Sequence, residues 1–152
     1  MSKSVSTKEK SPSIFFKAGD GKIVKVDRDI CRISEYLAEL FNDEDQVYFE
    51  NATERTISLL VDFYNEFLGL TTKQIEILSD PKKYIGSKKS DPDLVRLYNS
   101  YKKLAYVDLF GLLKIANDTK VKYLEGILTH IIARIIESKG VDELDSEFAL
   151  NK

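Results

Sequence analysis

The sequence predicts an α+β fold that is mostly α, with a small three-stranded β element followed by helices. Two β-favouring runs, residues 14–17 and 23–26, flank the turn Gly19-Asp20-Gly21, which is the pattern of a hairpin. A third short run, residues 47–49, follows an acidic turn. Beyond this point the apolar residues recur at helical spacing, in segments that begin at capping residues.

Helix starts are indicated at Ser34, Thr53, Asp91 and Asp108, because these residue types accept hydrogen bonds from exposed backbone N–H groups. Proline follows Asp91, at the first helical position where it is favoured. Each of these predicted helices has one apolar face. The predicted faces are Ile33, Leu37, Leu40 and Phe41; Ile57, Leu60, Val61, Tyr64 and Phe67; Leu94, Leu97, Tyr98 and Tyr101; and Leu109, Leu112, Leu113 and Ala116.

The last long helix carries two apolar stripes. One has the spacing of a face packed on a core, and it comprises Leu124, Ile127, Leu128, Ile131 and Ile135. The second stripe consists of Thr129, Ile132 and Ile136 and points elsewhere. A helix that is apolar on two sides is either fully enclosed by its own domain or offers one side to a partner. We favour the partner.

The chain of 152 residues is long enough for one domain with its own core. Its first residues are rich in Ser, Thr and Lys, which predicts a disordered tail. Residues 70–90 contain Pro81, Gly86 and two lysine pairs, and we interpret them as a largely exposed insertion with a short helix at residues 73–78. The predicted segments are the tail (1–12), the first half of the domain (13–69), the insertion (70–90), the remaining helices with the start of a partner-binding region (91–136), and a short C-terminal helical segment (137–152).

The composition argues against several classes of partner and compartment. The 23 basic and 25 acidic residues give a net charge of −2, which counts against nucleic-acid and membrane binding. Cys31 is the single cysteine, so the chain has no internal disulfide framework. The sequence shows neither a secretory signal nor an apolar run near 18 residues. We therefore expect the cytoplasm and nucleus.

The sequence also lacks the patterns of catalytic and metal sites. His130 is the only histidine, so a zinc site or a Ser-His-Asp arrangement would have to be built around it without the usual partners. The run Asp43-Glu44-Asp45 lacks the ligand spacing of a calcium loop, and Gly19-Asp20-Gly21 lacks that of a phosphate loop. We expect no catalytic residue, no metal and no cofactor, and hence a protein that is not an enzyme.

The order of these elements resembles the BTB/POZ fold, and individual residues resemble the S-phase kinase-associated (Skp) adaptor family. The start of the domain matches the opening of that family, and residues 51–64 match its next block in spacing. From Tyr101 to Leu150 the resemblance runs without a gap. The residues that carry it are Pro12-Ser13-Ile14, Gly19-Asp20-Gly21-Lys22-Ile23, Val26-Asp27, Asn51-Ala52-Thr53, Phe63-Tyr64, Leu109-Phe110, Leu112, Ala116-Asn117, Val121-Lys122, Leu124, Ala133, Ile136, Lys139, Glu143 and Phe148.

Skp adaptors are the linker subunits of SCF ubiquitin ligases, in which they bridge a cullin scaffold to an F-box protein that brings the substrate. The resemblance therefore implies a non-enzymatic adaptor in ubiquitin-dependent protein catabolism. Its expected partners are a cullin and an F-box or other helical-motif protein. The resemblance places Asn117 and Asp118 in the cullin-facing turn. It places Leu113, Thr129, Ile132, Ile136, Leu144 and Phe148 on the F-box side.

Three departures from the family pattern shape these expectations. Asp118 stands where the family typically has an aromatic residue, and a carboxylate cannot supply an apolar anchor, which counts against cullin binding. The family continues past the position of Leu150 with a final helix, so F-box binding is expected to be weaker or of a different kind here. The lysine-bearing segment 70–90 replaces an acidic, proline-rich loop.

Two alternatives follow. The chain is either such an adaptor or a Skp-like scaffold that self-associates as a homodimer, or binds a helical partner without a cullin, and no longer serves ubiquitination. Leu144 and Phe148 either contact the F-box partner or pack in cis onto a neighbouring helix, as short amphipathic segments usually do.

Overall fold

The computed structural model describes residues 11–86 and 90–139, which form one small sheet and a larger set of helices. The strands are β1 (Ser13–Ala18), β2 (Ile23–Asp27) and β3 (Gln46–Phe49). The helices are α1 (Glu35–Leu40), α2 (Glu54–Leu68), α3 (Thr72–Leu78), α4 (Pro92–Lys102), α5 (Tyr106–Asp118) and α6 (Lys122–Lys139), with short 3-10 helices at Arg28–Ile33 and Pro81–Lys83. The predicted fold class, α+β and mostly α with three strands, is confirmed for these residues.

The sheet is ordered β2-β1-β3, so β1 lies at its centre. β1 and β2 pair antiparallel and form the predicted hairpin, whereas β3 pairs parallel to β1. Side chains alternate across β1, with Ile14, Phe16 and Ala18 fully buried on the inner face. The Phe16 ring lies 5.0 Å from the ring of Phe49 on β3. This aromatic contact joins the third strand to the core of the hairpin.

Three of the four predicted helix starts are confirmed. Ser34 accepts a hydrogen bond from the backbone N–H of Leu37, Thr53 caps α2, and Asp91 caps α4. The start predicted at Asp108 is wrong, because α5 begins at Tyr106 with Ala105 as its N-cap.

Asp108 itself lies in the first turn of α5, where its negative charge faces the positive end of the helix dipole. Its carboxylate forms an ion pair with Arg55 of α2, at 3.2 Å, instead of capping the backbone. The sequence shows that Asp108 is an acidic residue near a helix start, but it does not show that Asp108 pairs with Arg55 of another helix.

The interpretation of residues 70–90 as a largely exposed insertion is wrong at Leu78, Pro81 and Tyr84, which are buried, whereas the other residues of 70–86 are exposed or half-buried. Here α3 begins at a capping box formed by Thr71 and Gln74. Leu78 and Tyr84 are fully buried, and the Tyr84 hydroxyl donates a hydrogen bond to the Leu78 carbonyl oxygen at 2.6 Å. Burial raises the pKa of Tyr84 well above its usual range. The segment therefore contributes to the core instead of lying on it.

Helix α6 packs against α3, α4 and α5. The end of α3 approaches it so closely that a Cβ at Gly126 would overlap the carbonyl oxygen of Ser79. Of the predicted core stripe, Leu124, Ile127, Leu128 and Ile131 are buried and Ile135 is half-buried. The core assignment of this stripe is thus confirmed, with its coverage decreasing toward the end of the helix.

Candidate protein-binding surface

The turn that joins α5 to α6 is held by buried polar contacts. Thr119 is fully buried, and its hydroxyl donates to the Ile115 carbonyl oxygen at 2.6 Å. Its own carbonyl oxygen accepts a hydrogen bond of 2.6 Å from the Ser34 hydroxyl, which also caps α1. Lys120 adopts a left-handed conformation with a φ of 55°, which lets the chain reverse directly into α6. The two helices are therefore fixed relative to the N-terminal half of the molecule.

A groove of about 380 Å³ runs between α5 and α6. It brings together Leu113 and Thr129, two of the residues that the family resemblance places on the F-box side. Asn117, from the predicted cullin-facing turn, lines the same groove. The full lining is Phe110, Leu113, Lys114, Asn117, Glu125 and Thr129. Phe110 and Leu113 thus form an apolar patch on α5, and the other lining residues are polar or charged.

Glu125 contributes a partly buried carboxylate to this groove. Its Oε2 atom is buried and accepts no hydrogen bond from the described residues, although it lies 3.5 Å from the Lys122 Nζ atom in an ion pair. Sequence reasoning missed Glu125, since a lone glutamate on an amphipathic helix carries no distinguishing signal.

The second stripe of α6 is only partly a free surface. Ile136 is 39% exposed and Thr129 is exposed, but Ile132 is 8% exposed and belongs to the core. The expectation that the domain's own core does not need this stripe is therefore wrong at Ile132. Helical spacing identifies the direction in which a residue points but not how many neighbours cover it. Leu144 and Phe148 lie outside the described residues.

The predicted cullin-facing residues, Asn117 and Asp118, are both exposed at the end of α5. Beside this turn a second groove of about 390 Å³ separates α1 from the start of α6. Lys120 crosses it, with its Nζ atom 4.5 Å from the centre of the Tyr36 ring in a cation–π contact. The groove is lined by Ile33, Ser34, Glu35, Tyr36, Glu39, Lys120, Lys122 and Tyr123. The sequence did not indicate this groove, since it depends on the left-handed turn at Lys120.

His130, the only histidine, connects α4 and α6. Its Nδ1 atom lies 2.8 Å from the Tyr98 hydroxyl oxygen, and the two rings meet edge to face. Burial lowers the pKa of His130, and the nearby cations Arg134 and Lys82 lower it further. Tyr98 is almost fully buried, and burial raises its pKa. This pair links two helices through a hydrogen bond.

Within residues 11–86 and 90–139, no His, Cys, Asp and Glu side chains cluster in a way that would hold a metal ion. No helix in this part of the chain has the length and apolar character needed to cross a bilayer. A scan against models of known protein families finds no match for the chain. A search of curated proteins likewise finds no match.

Proposed function

We propose that this chain is a non-enzymatic adaptor of a ubiquitin ligase complex, which bridges a cullin scaffold to F-box-type substrate receptors in the cytoplasm and nucleus. The observation that carries the proposal is the groove between α5 and α6. Leu113 and Thr129, which the Skp resemblance assigns to the F-box side, line one groove although they come from different helices. A groove between two helices is a common binding site for an amphipathic partner helix.

The arrangement of the elements supports the proposal. A BTB/POZ-like domain is expected to have a small three-stranded β element and helices, followed by helices that bind a partner. The described residues have a three-stranded sheet, then helices, and end on the α5–α6 pair. This agreement is one of architecture, and the assignment to the Skp family remains part of the proposal.

The lining of the α5–α6 groove defines the partner chemistry. Phe110 and Leu113 are half-buried and offer an apolar wall. The carboxylate of Glu125, on α6, also lines the groove and forms an ion pair with Lys122. We expect a helix that places a leucine or a similar side chain against Phe110 and Leu113 and a lysine, arginine or amide donor near Glu125. Such a helix gains apolar contact and a charge-assisted hydrogen bond together.

Affinity purification of the tagged protein from its own cells, followed by mass spectrometry, tests the proposal. The adaptor should capture F-box proteins together with a cullin. Thr129→Arg places a bulky cation in the groove and should reduce F-box capture at least about 10-fold, since clashes and unpaired charges in an interface cost several kcal/mol. Thr72→Arg, an exposed threonine on α3, is the matched control and should leave capture unchanged.

If the Thr129→Arg variant captures as much F-box protein as the wild type does, the partner does not bind in the α5–α6 groove. Absence of F-box proteins from the wild-type sample would reject the adaptor itself. Both variants are compared at equal thermal stability, measured by circular dichroism, so that lost binding is not confused with lost folding.

One observation favours a second candidate, a Skp-like scaffold that works without a cullin. Asp118 is exposed at the turn where the resemblance expects an aromatic anchor. Under this alternative the chain binds a helical partner or forms a homodimer and does not serve ubiquitination. Asp118→Tyr should raise the affinity for a cullin in titration calorimetry if the turn is the cullin contact. Helical partners without any cullin in the purified sample, or a dimer in sedimentation analysis, would favour the scaffold.

A further inference from the structure

A third groove lies on the α4 side of α6 and shares no lining residue with the α5–α6 groove. Its volume is about 240 Å³. Its floor is apolar, formed by the buried Tyr98 and Ile131 and by the half-buried Ile135. The full lining is Tyr98, Lys102, Ile131, Arg134, Ile135 and Ser138. Neither the proposed function nor the family resemblance uses this surface.

The charges around this groove select for an acidic ligand. Lys102 and Arg134 line it and are both exposed, and none of its lining residues is a carboxylate. The α5–α6 groove differs, because its lining includes a carboxylate, Glu125, as well as one cation, Lys114. An acidic segment with apolar side chains along one side therefore fits the α4–α6 groove better than the α5–α6 groove.

The sequence provides such a segment directly after α6. Residues 141–148 lie outside the described part of the chain, but their composition is clear. Val141, Leu144 and Phe148 have the i, i+3, i+7 spacing of one helical face. The residues between them include the carboxylates Asp142, Glu143, Asp145 and Glu147. The segment thus combines the apolar stripe and the negative charge that the groove lining complements.

Chain connectivity favours this segment over a separate partner. Ser138, at one end of the groove, precedes Val141 by only two intervening residues. A ligand tied this closely to its site has an effective concentration in the millimolar range, without any further contact. A separate acidic peptide would have to overcome this local competitor.

We propose that the α4–α6 groove binds this chain's own residues 141–148 in cis. The apolar residues of the segment contact the floor near Ile135, and its carboxylates lie near Lys102 and Arg134. The inference does not rest on the proposed function, because it uses only the groove, its charges and the position of the segment in the chain. Under this proposal, Leu144 and Phe148 pack in cis against α6 when no partner is bound.

Disulfide trapping in the full-length chain tests the proposal. In a Cys31→Ser background, Lys102→Cys is combined with Glu147→Cys, and the matched control combines Thr72→Cys with Glu147→Cys. Thr72 is an exposed residue of α3 that does not line this groove. Under mild oxidation at micromolar protein concentration, we expect the Lys102 pair to form an intramolecular disulfide at least about 10-fold faster than the control pair.

A charge variant separates specific docking from simple proximity. Adding Arg134→Glu should slow the trapping reaction severalfold, because the remaining groove charge then repels the segment. Arg96→Glu, an exposed arginine on α4 outside the groove, should leave the rate unchanged. Disulfide-linked dimers in place of monomers would identify a second copy as the occupant and overturn the cis proposal. Equal rates for the Lys102 and Thr72 pairs would overturn it as well.

Discussion

The two ends of α6 differ in what surrounds them, although apolar residues recur from Tyr123 to Ile136. Residues 122–132 include five buried side chains, among them Leu124 and Ile127, which are fully buried. Residues 133–138 include none, and Ile136 is 39% exposed. The start of α6 is therefore largely enclosed by the domain, whereas its end is open.

The difference arises from where the neighbouring elements end. At the start of α6, Gly126 lets the Ser79 backbone approach, and the Tyr123 ring lies 5.2 Å from the Phe67 ring of α2. The α5–α6 groove and the α4–α6 groove lie along α6, and the α4–α6 groove extends to Ser138. The stability of the fold therefore depends more on the start of α6 than on its end.

The largest effect is expected from truncating the same residue type at the two ends. Ile127→Ala removes a fully buried side chain and should lower the free energy of unfolding by about 2–4 kcal/mol. Ile136→Ala should lower it by less than about 1 kcal/mol, since that side chain is 39% exposed. Urea denaturation followed by circular dichroism measures both. Similar losses for the two variants would remove the distinction between the ends.

A smaller loss of stability is expected at Gly126, where the backbone of α6 packs directly against the backbone at Ser79. Gly126→Ala forces a methyl group toward the Ser79 carbonyl oxygen and should cost about 1–3 kcal/mol of stability. Gly69→Ala is the control, since its new Cβ would lie 3.5 Å from the nearest atom, the Glu66 carbonyl oxygen. If thermal melting shows that both variants keep the wild-type stability, the close contact between α3 and α6 is not rigid.

The sequence predicted those features that depend on neighbours in the chain. The hairpin and the caps at Ser34, Thr53 and Asp91 are local, because each cap satisfies backbone groups within the next turn. Leu113 and Thr129, which the family resemblance assigned to one surface, line one groove, and their role in binding stays a prediction.

The features that sequence reasoning missed depend on contacts between distant parts of the chain. Ile132 is buried because other elements cover it, and helical spacing does not report such cover. The segment that contains Tyr84 looked exposed because its sequence has two lysine pairs, yet the Tyr84 ring is fully buried. The groove beside Lys120 requires a left-handed lysine, which residue type alone does not predict.

The link between the start of α6 and the N-terminal half gives a further prediction. Ser34→Ala removes the α1 cap and the only described side-chain donor to the Thr119 carbonyl oxygen, which should lower the free energy of unfolding by about 1–2 kcal/mol. Ser58→Ala, at an exposed position of α2, should change it by less than about 0.5 kcal/mol. Hydrogen exchange should also become faster near Thr119 in the first variant alone. Unchanged exchange there would show that the hydroxyl does not fix the turn.

The smallest effect concerns His130, which lies at the boundary between the two ends of α6. Burial, helped by the nearby cations Arg134 and Lys82, lowers its pKa in the folded chain below the ordinary value of 6.5. The unfolded chain therefore binds the proton more readily. The stability that the neutral imidazole contributes is present above pH 6.5 and is lost as the pH falls from there toward the lowered pKa. The free energy of unfolding of the wild type should accordingly fall relative to that of His130→Gln between about pH 7.5 and pH 5.5.

Tyr98→Phe separates the two contributions to this pH dependence. The variant loses the hydroxyl that meets Nδ1 of His130 but keeps the ring that helps to bury the imidazole. Because burial and the cations lower the pKa, Tyr98→Phe should retain the pH dependence that His130→Gln lacks. His130 is the only histidine, so an NMR titration of its ring protons reports the pKa without ambiguity. A pKa at or above 6.5 in the wild type would mean that the imidazole is solvated, and that the open end of α6 begins before His130.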